Sequence, residues 1–288
     1  MIRFNRLKGF DYTKYTTYAD IETFILNTNC QTHELGLSGG GNMIYGLSVG
    51  DLSKPMILID GGMHGAHEWR CTHWVKEFIE RINNPVDDVN KPLIKKIKSK
   101  FCFFVVPCLN SYGYLGNHYV NENGVNLNRN FPIGWDTYPT TVPFDEQYKG
   151  AAPFSEPQSQ ILQNLMNTYK VIGYVNCHTW GAENLGGIFE TSSTSIELRT
   201  ILTDIKDSLQ LSIPECALSI TTKSTPTVPW VTEWTGSTNS KCGKNVFSLI
   251  FETGGAETDY MKAELGMTGL FVFCYYVHEW FKTRRVIL

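Results

Sequence analysis

The sequence lacks the run of roughly 18 apolar residues that a membrane-crossing helix needs. Its longest apolar stretch near the end, LFVFCYYVHEWF, is too short for that and reads as a buried helix. It also lacks a long basic block. With 25 Lys and Arg against 28 Asp and Glu, the net charge is −3, so nucleic acid is not an expected partner. The eight cysteines are scattered and form no Cys-x-x-Cys pair. Several sit inside apolar stretches such as FCFFVVPC, which points to reduced, buried thiols rather than a disulfide framework. The opening residues MIRFNRLKGFDYTKY carry charge but no apolar segment of the secretory kind. Together with the thiols, this gives a cytoplasmic protein as the expectation. No internal repeat or low-complexity linker divides the chain, so residues 1–288 are expected to form one domain.

The composition that is present suits a globular protein with a sizeable core: 42% apolar and 18% charged over 288 residues. The short basic run of Lys91, Lys95, Lys96, Lys98 and Lys100 reads as a solvated helix end or loop. YTTYADIETFILNTN has helical apolar spacing, with Thr17 or Tyr18 leading into it. GLSGGGNMIYGLSVGD reads as a hairpin turning at glycines 39 to 41. Then strands and helices alternate. PMILIDGG, KFCFFVVPCLN, VIGYVNCHTW and NVFSLIFETGG are continuous apolar strands. EWRCTHWVKEFIERIN, SEPQSQILQNLMNTY, SIELRTILTDIKDSLQL and GMTGLFVFCYYVHEWFKTRR are helices, the second opening on a Ser155–Gln158 capping box. The pattern predicts an α/β fold with a mixed, mostly parallel sheet and helices on both faces.

In such sheets, sites form beyond the carboxyl ends of the strands. All four strands here end in polar candidates: His64 and Glu68, Asn110, His178, and Glu252. Two histidines and a carboxylate are a common set for a catalytic zinc with one open position. His64, Glu68 and His178 supply it. Glu252 is left as a carboxylate that can move a proton between a water and a leaving amine. In NENGVNLNRNFPIGW, Arg129 stands between Asn128 and Asn130 as a planar fork of donors that suits a carboxylate. A solvated arginine on an Asn-rich surface turn is the alternative.

At this point the chain resembles the zinc metallocarboxypeptidases of the carboxypeptidase A type. GGMHGAHEW is similar to the family's zinc segment, and PCLNSYGY to its Pro-x-x-Asn-Pro-Asp-Gly-Tyr segment. GVNLNRNFP is similar to Gly-Val-Asp-x-Asn-Arg-Asn, and YKGAAPFSEPQS to the stretch ending Ser-Glu-Pro-Glu. VNCHTW and SLIFETG are similar to the strands bearing the third ligand and the catalytic glutamate. All six occur in the family's order. The resemblance implies one Zn2+ per chain, held by His64, Glu68 and His178. Glu252 would be the general base and then acid, and Asn128 and Arg129 would grip the terminal carboxylate of a peptide or peptide-like substrate. This chemistry is the family's; carboxypeptidase A is itself a standard example of the His2Glu site.

Four departures accompany it. His64 and Glu68 are separated by three residues, Gly-Ala-His, instead of two; a one-residue bulge would absorb the extra one, and His67 is the rival ligand. Asn126 stands where the family has an aspartate behind the first zinc histidine. Tyr119 stands where many relatives have an arginine that steadies the oxyanion, with His118 and Arg70 as nearby cations. The family's mobile tyrosine has no match in TGSTNSKCGKNVF, and Trp230 and Trp234 upstream either cover the pocket or pack in the core. The absence of an evident prodomain and leader is more like bacterial or phage relatives than digestive ones. Three functions fit this picture: a zinc carboxypeptidase or related amidohydrolase, an N-acyl amino acid deacylase, and a binding module whose chemistry has decayed.

Overall fold

The computed structural model describes residues 15–85, 90–139, 141–179, 187–190, 196–214, 218–222, 230–237, 246–253 and 259–283. Eight strands form one sheet: β1 (Gln31–Leu37), β2 (Met43–Val49), β3 (Met56–Asp60), β4 (Cys102–Val106), β5 (Val171–His178), β6 (Gly187–Glu190), β7 (Ser219–Thr222) and β8 (Phe247–Glu252). Their order is β1-β2-β4-β3-β5-β8-β6-β7. The central pairings β4/β3, β3/β5 and β5/β8 are parallel. β1/β2, β2/β4 and β6/β8 are antiparallel, so the sheet is mixed, as expected. The short strands β6 and β7 are additional to the sequence reading. At four residues each, they carry too little alternation to register as a pattern.

Alternation across the sheet builds two cores. Ile57, Ile59, Phe103, Val105, Leu249 and Phe251 face one cluster, which holds α1 (Tyr18–Asn27), α2 (Trp69–Asn83), α3 (Lys91–Lys98), α6 (Ile196–Ser212) and α8 (Asp259–Thr283). Met56, Leu58, Phe104, Val106 and Tyr174 face the other, which holds α5 (Pro157–Thr168) and α7 (Val231–Ser237). Helices thus cover both faces.

Local signals explain several boundaries. Thr17 caps α1 in a reciprocal box with Asp20. The basic run is a helix in its own right: Ile94 and Ile97 of α3 are buried while Lys95 and Lys96 are exposed. The Ser155–Gln158 capping box does not form. The helix starts one residue later, at Pro157, behind Glu156, because Pro suits the first helical position. Ser155 instead donates to Glu156 Oε1 (2.7 Å), and Gln158 turns to Glu122. The six described cysteines are all buried thiols.

One topological feature places the site. From β3 the chain moves to β4 on one side, then returns to β5 on the other. Such a switch point leaves a crevice beyond the strands' carboxyl ends, where the loops after β3 and β5 meet.

Candidate metal centre and surrounding cleft

β3 ends at Asp60, and the chain enters α2 through a 3-10 turn over Gly65–Glu68. This turn absorbs the extra residue between His64 and Glu68, so the expected strand bulge is replaced by a turn. Gly65 makes it possible. Its φ is +57°, and a Cβ there would lie 2.3 Å from the Gly113 carbonyl carbon, on the short helix α4 (Ser111–Gly116). The turn carries Glu68 inward and leaves His67 at the exposed rim of the cleft. His67 is exposed and donates from Nε2 to the Asn117 carbonyl (3.0 Å), so it is not among the clustered ligand atoms.

His64, Glu68 and His178 are all buried, and one candidate ligand atom from each lies within 4.8 Å of the others. His64 Nδ1 is 3.0 Å from Glu68 Oε1, and His178 Nδ1 is 2.8 Å from Glu68 Oε2. The opposite ring nitrogens meet amide oxygens. His64 Nε2 donates to Asn126 Oδ1 (3.2 Å), and His178 Nε2 donates to Asn176 Oδ1. Asn126 is itself oriented by its Nδ2, which donates to the Glu146 carbonyl (2.6 Å). With the Nε2 protons directed to the two amide oxygens, it is the Nδ1 atoms of both rings that converge on the carboxylate. This donor set fits a divalent cation, with the outer partner behind each histidine already in place. Both partners are amides where a carboxylate would make the ligand more basic.

Electrostatics agree. Burial would raise Glu68, but the two histidines outweigh it and hold its carboxyl below the ordinary range. Burial would lower His178; Glu68 first, then Glu252 and Asp60, outweigh it and hold the ring up at about 9. His64 is lowered, chiefly by burial. Glu68 thus favours its ionised form and His178 its charged form, the second imidazole proton lying on Nδ1 toward Glu68, where a cation would replace it.

Glu252, the last residue of β8, is the register partner of His178 in the parallel β5/β8 pair. Both line a cleft of about 490 Å³, together with His64, Glu68, Tyr119, Asn128 and Arg129; Ile250 and Trp230 form part of its wall. The Asn-rich segment supplies one side of this cleft, and its asparagines are tied down one by one. Asn121 and Asn123 donate to the buried Glu156 (2.7 and 2.8 Å). Asn130 donates to the Lys149 and Ala152 carbonyls and accepts from Ser159 (2.6 Å). Asn128 accepts from the Val231 N–H (3.0 Å), which leaves its Nδ2 3.4 Å from His178 Nε2; with that nitrogen donating to Asn176, this is a close approach of two donors and not a hydrogen bond between them.

Arg129 donates to the Asn128 carbonyl from Nη1, to Gln147 from Nη2, and to Tyr138 and Gln147 from Nε. Among the described residues these contacts use one N–H on each nitrogen. One N–H on each Nη is left to form an end-on fork for a carboxylate.

Of the three groups that could stand in for the missing arginine, only Tyr119 lines the cleft. Its ring stacks on His64 (centroids 3.9 Å apart, 18° between planes). Burial, then Glu68, push its hydroxyl well up, so it stays a donor. His118 stacks on Tyr112, and the Arg70 guanidinium lies over Trp69 (4.6 Å). The two tryptophans divide: Trp230 lines the cleft, whereas Trp234 is buried against Phe131 and Phe154. Asn110 does not face the cleft. It caps α4 and donates to the Met63 and Val120 carbonyls (both 3.2 Å), tying the metal loop to the Tyr119 segment. The stretch searched for a mobile tyrosine lies partly outside the described residues, at 238–245.

Sequence reasoning missed Asn176 and Asp60. Asp60 is fully buried and its carboxyl is raised to about 6, by burial against the lowering effect of Tyr174 and Asn176. The signal was a charged residue closing an otherwise apolar strand, MILID.

Comparison with known proteins bears on the family of the chain. A family model described as zinc carboxypeptidase matches residues 26–280. Rat carboxypeptidase B is 28% identical over 204 residues, which cover 61% of this chain and 48% of that one. Mouse mast cell carboxypeptidase A is 28% identical over 166 residues, 51% of this chain and 39% of that one. The chain therefore spans about half the length of these curated relatives, or less. Among solved structures, carboxypeptidase A from Helicoverpa armigera superposes with a TM-score of 0.76 at 15% identity, over 93% of this chain and 75% of that one. Bovine thrombin-activatable fibrinolysis inhibitor, in complex with tick carboxypeptidase inhibitor, gives 0.75 at 18%, over 94% and 99%. At these identities the superpositions speak for the fold.

Proposed function

The chain belongs to the zinc carboxypeptidase family, and on that premise we propose that it is a zinc-dependent hydrolase that removes the C-terminal residue from a peptide or peptide-like substrate. The observation that carries this reading is the convergence of His64 Nδ1, His178 Nδ1 and the Glu68 carboxylate beside Glu252 in one cleft with Arg129.

His64, Glu68 and His178 would hold the metal. A bound Zn2+ supplies Lewis acidity toward a carbonyl oxygen and lowers the pKa of a water. The rest is the work of this chain's side chains. Arg129 and Asn128 bind the terminal carboxylate, which sets the last amide bond in the cleft and makes the reaction effectively intramolecular. Glu252 accepts a proton from the attacking water and returns it to the leaving nitrogen. Tyr119 donates its hydroxyl hydrogen to the developing oxyanion in place of an arginine. Ile250 and Trp230 offer an apolar surface to the departing side chain. A location in the cytoplasm and the organisation of residues 1–288 as one domain belong to the same reading.

The test is release of C-terminal amino acids from a peptide panel, run beside C-terminally amidated peptides and N-acyl amino acids, with zinc measured on the same preparation. About one zinc per chain and turnover restricted to free-carboxylate peptides is the expected result. Zinc without turnover of any amide would leave only the binding-module function. Turnover confined to N-acyl amino acids would make the protein a deacylase.

A further inference from the structure

Behind His178 lies a buried carboxylate that the proposed reaction does not use. Asp60 closes β3 and is the register partner of Asn176 on β5. Asn176 Nδ2 donates to Asp60 Oδ1 at 2.5 Å, and the Tyr174 hydroxyl donates to Asp60 Oδ2. On its other side, Asn176 Oδ1 accepts from His178 Nε2. The chain Asp60–Asn176–His178 is buried throughout.

An amide has one end that donates and one that accepts, and a carboxylate only accepts. Asp60 therefore fixes which way Asn176 points. Its NH2 must meet the carboxylate, so its oxygen must meet the imidazole. In the flipped orientation two oxygens would face each other at hydrogen-bond distance. The NH2 would then face His178 Nε2, drawing the lone pair to that atom and the proton to Nδ1, the atom that faces Glu68. The hydrogen bonds to Asp60 come from a phenol and an amide, not from a Lys or Arg. Burying a carboxylate on such partners is costly, and an uncharged residue would pack there more cheaply.

We propose that Asp60 is a positioning residue for the metal centre: acting through Asn176, it locks His178 with its proton on Nε2 and its lone pair on Nδ1, toward the metal. The inference rests on the metal-site reading above. Both rings meet at Glu68, but the amide behind His64 is oriented without Asp60: Asn126 donates to a backbone carbonyl. His64 is thus an internal control.

The experiment compares Asp60→Ala, Asp60→Asn and Tyr174→Phe with the wild type. It uses zinc affinity by chelator competition and the ring N–H proton resonances of His178 and His64 in the zinc-saturated protein. Loss of an outer partner of a metal ligand typically costs 10–100-fold in affinity, and about that loss is expected for Asp60→Ala. The His178 N–H should then exchange away while the His64 N–H persists. Asp60→Asn keeps the shape and one acceptor, so it should recover most of the affinity and shift the His178 resonance alone. Tyr174→Phe removes an equally buried bond from the same carboxylate; it should lower thermal stability yet leave affinity within about threefold. Wild-type affinity in Asp60→Ala with an intact His178 N–H would overturn the proposal. Should Asp60→Ala not fold, an Asp60→Asn protein with both resonances unmoved would overturn it equally. A wild-type protein that binds no zinc would instead remove the metal-site reading itself.

Discussion

His178 and Glu252 are register partners at the carboxyl ends of adjacent parallel strands. One strand pairing therefore sets the spacing between a candidate metal ligand and the carboxylate proposed to move the proton. Glu252→Gln keeps this geometry and removes the base. Its kcat should fall by about 10²–10⁴, with KM and zinc content close to wild type. Steady-state kinetics with metal analysis checks this; a tenfold loss of zinc would make Glu252 a ligand instead.

Zinc uptake should release a proton. His178 is held at about 9 in the metal-free site, so between pH 7 and 8 the ring is charged and must lose its proton to coordinate. Calorimetry in buffers of differing ionisation enthalpy should give about one proton released per zinc. Affinity should climb with pH and level off above about 9. The sign is the same for the metal-free fold: a raised folded pKa stabilises below the unfolded value of about 6.5 and ceases to do so through about 9. The stability gap between wild type and His178→Ala should close over that window.

Arg129→Ala should raise KM more than it lowers kcat. A charge-assisted hydrogen bond is worth about 1.5–3 kcal/mol, which corresponds to roughly 10–150-fold in kcat/KM. The affinity loss should be large for free-carboxylate peptides and small for amidated ones assayed as competing ligands. An equal loss on both would mean that Arg129 shapes the loop without touching substrate.

Tyr119→Phe keeps the ring that stacks on His64 and removes the hydroxyl. If the hydroxyl serves the oxyanion, kcat should fall by about 10²-fold at unchanged zinc affinity. Tyr119→Ala should weaken zinc binding as well, through loss of the stacked face.

Glu156→Ala should destabilise the metal-loaded protein by about 2–3 kcal/mol in urea unfolding. It leaves two asparagines and a serine without their acceptor. Because the loosened segment bears Asn126, Asn128 and Arg129, kcat/KM should fall too.

Much of this was legible in the chain because parallel strands are continuous apolar runs, and the polar residues that interrupt them stand out. His64, Glu68, His178 and Glu252 were visible for that reason. Asn176 was not, since a lone amide within VIGYVNCH carries no period or spacing. The direction of Tyr119 was equally hidden: a residue in an irregular segment has no periodicity to say which way it faces. Asn110 shows the converse error, where residue type and position invited a chemical role and the backbone turned the side chain to a structural one.

The sequence by itself determined the alternation of strands and helices, hence the sheet, and hence the end of the sheet at which chemistry gathers. Those follow from local periodicity and from the cost of burying polar groups. Only the tertiary structure decided which atoms meet. The left-handed Gly65 against Gly113 shaped the turn that pairs His64 with Glu68 and leaves His67 out. The turn at β3 brought β5 alongside and put Asp60 behind Asn176. The orientation of two asparagine amides chose Nδ1 over Nε2 on both histidines. Each of these is a contact between residues distant in the chain, or a torsion that only such a contact enforces, and neither leaves a mark in the order of residue types.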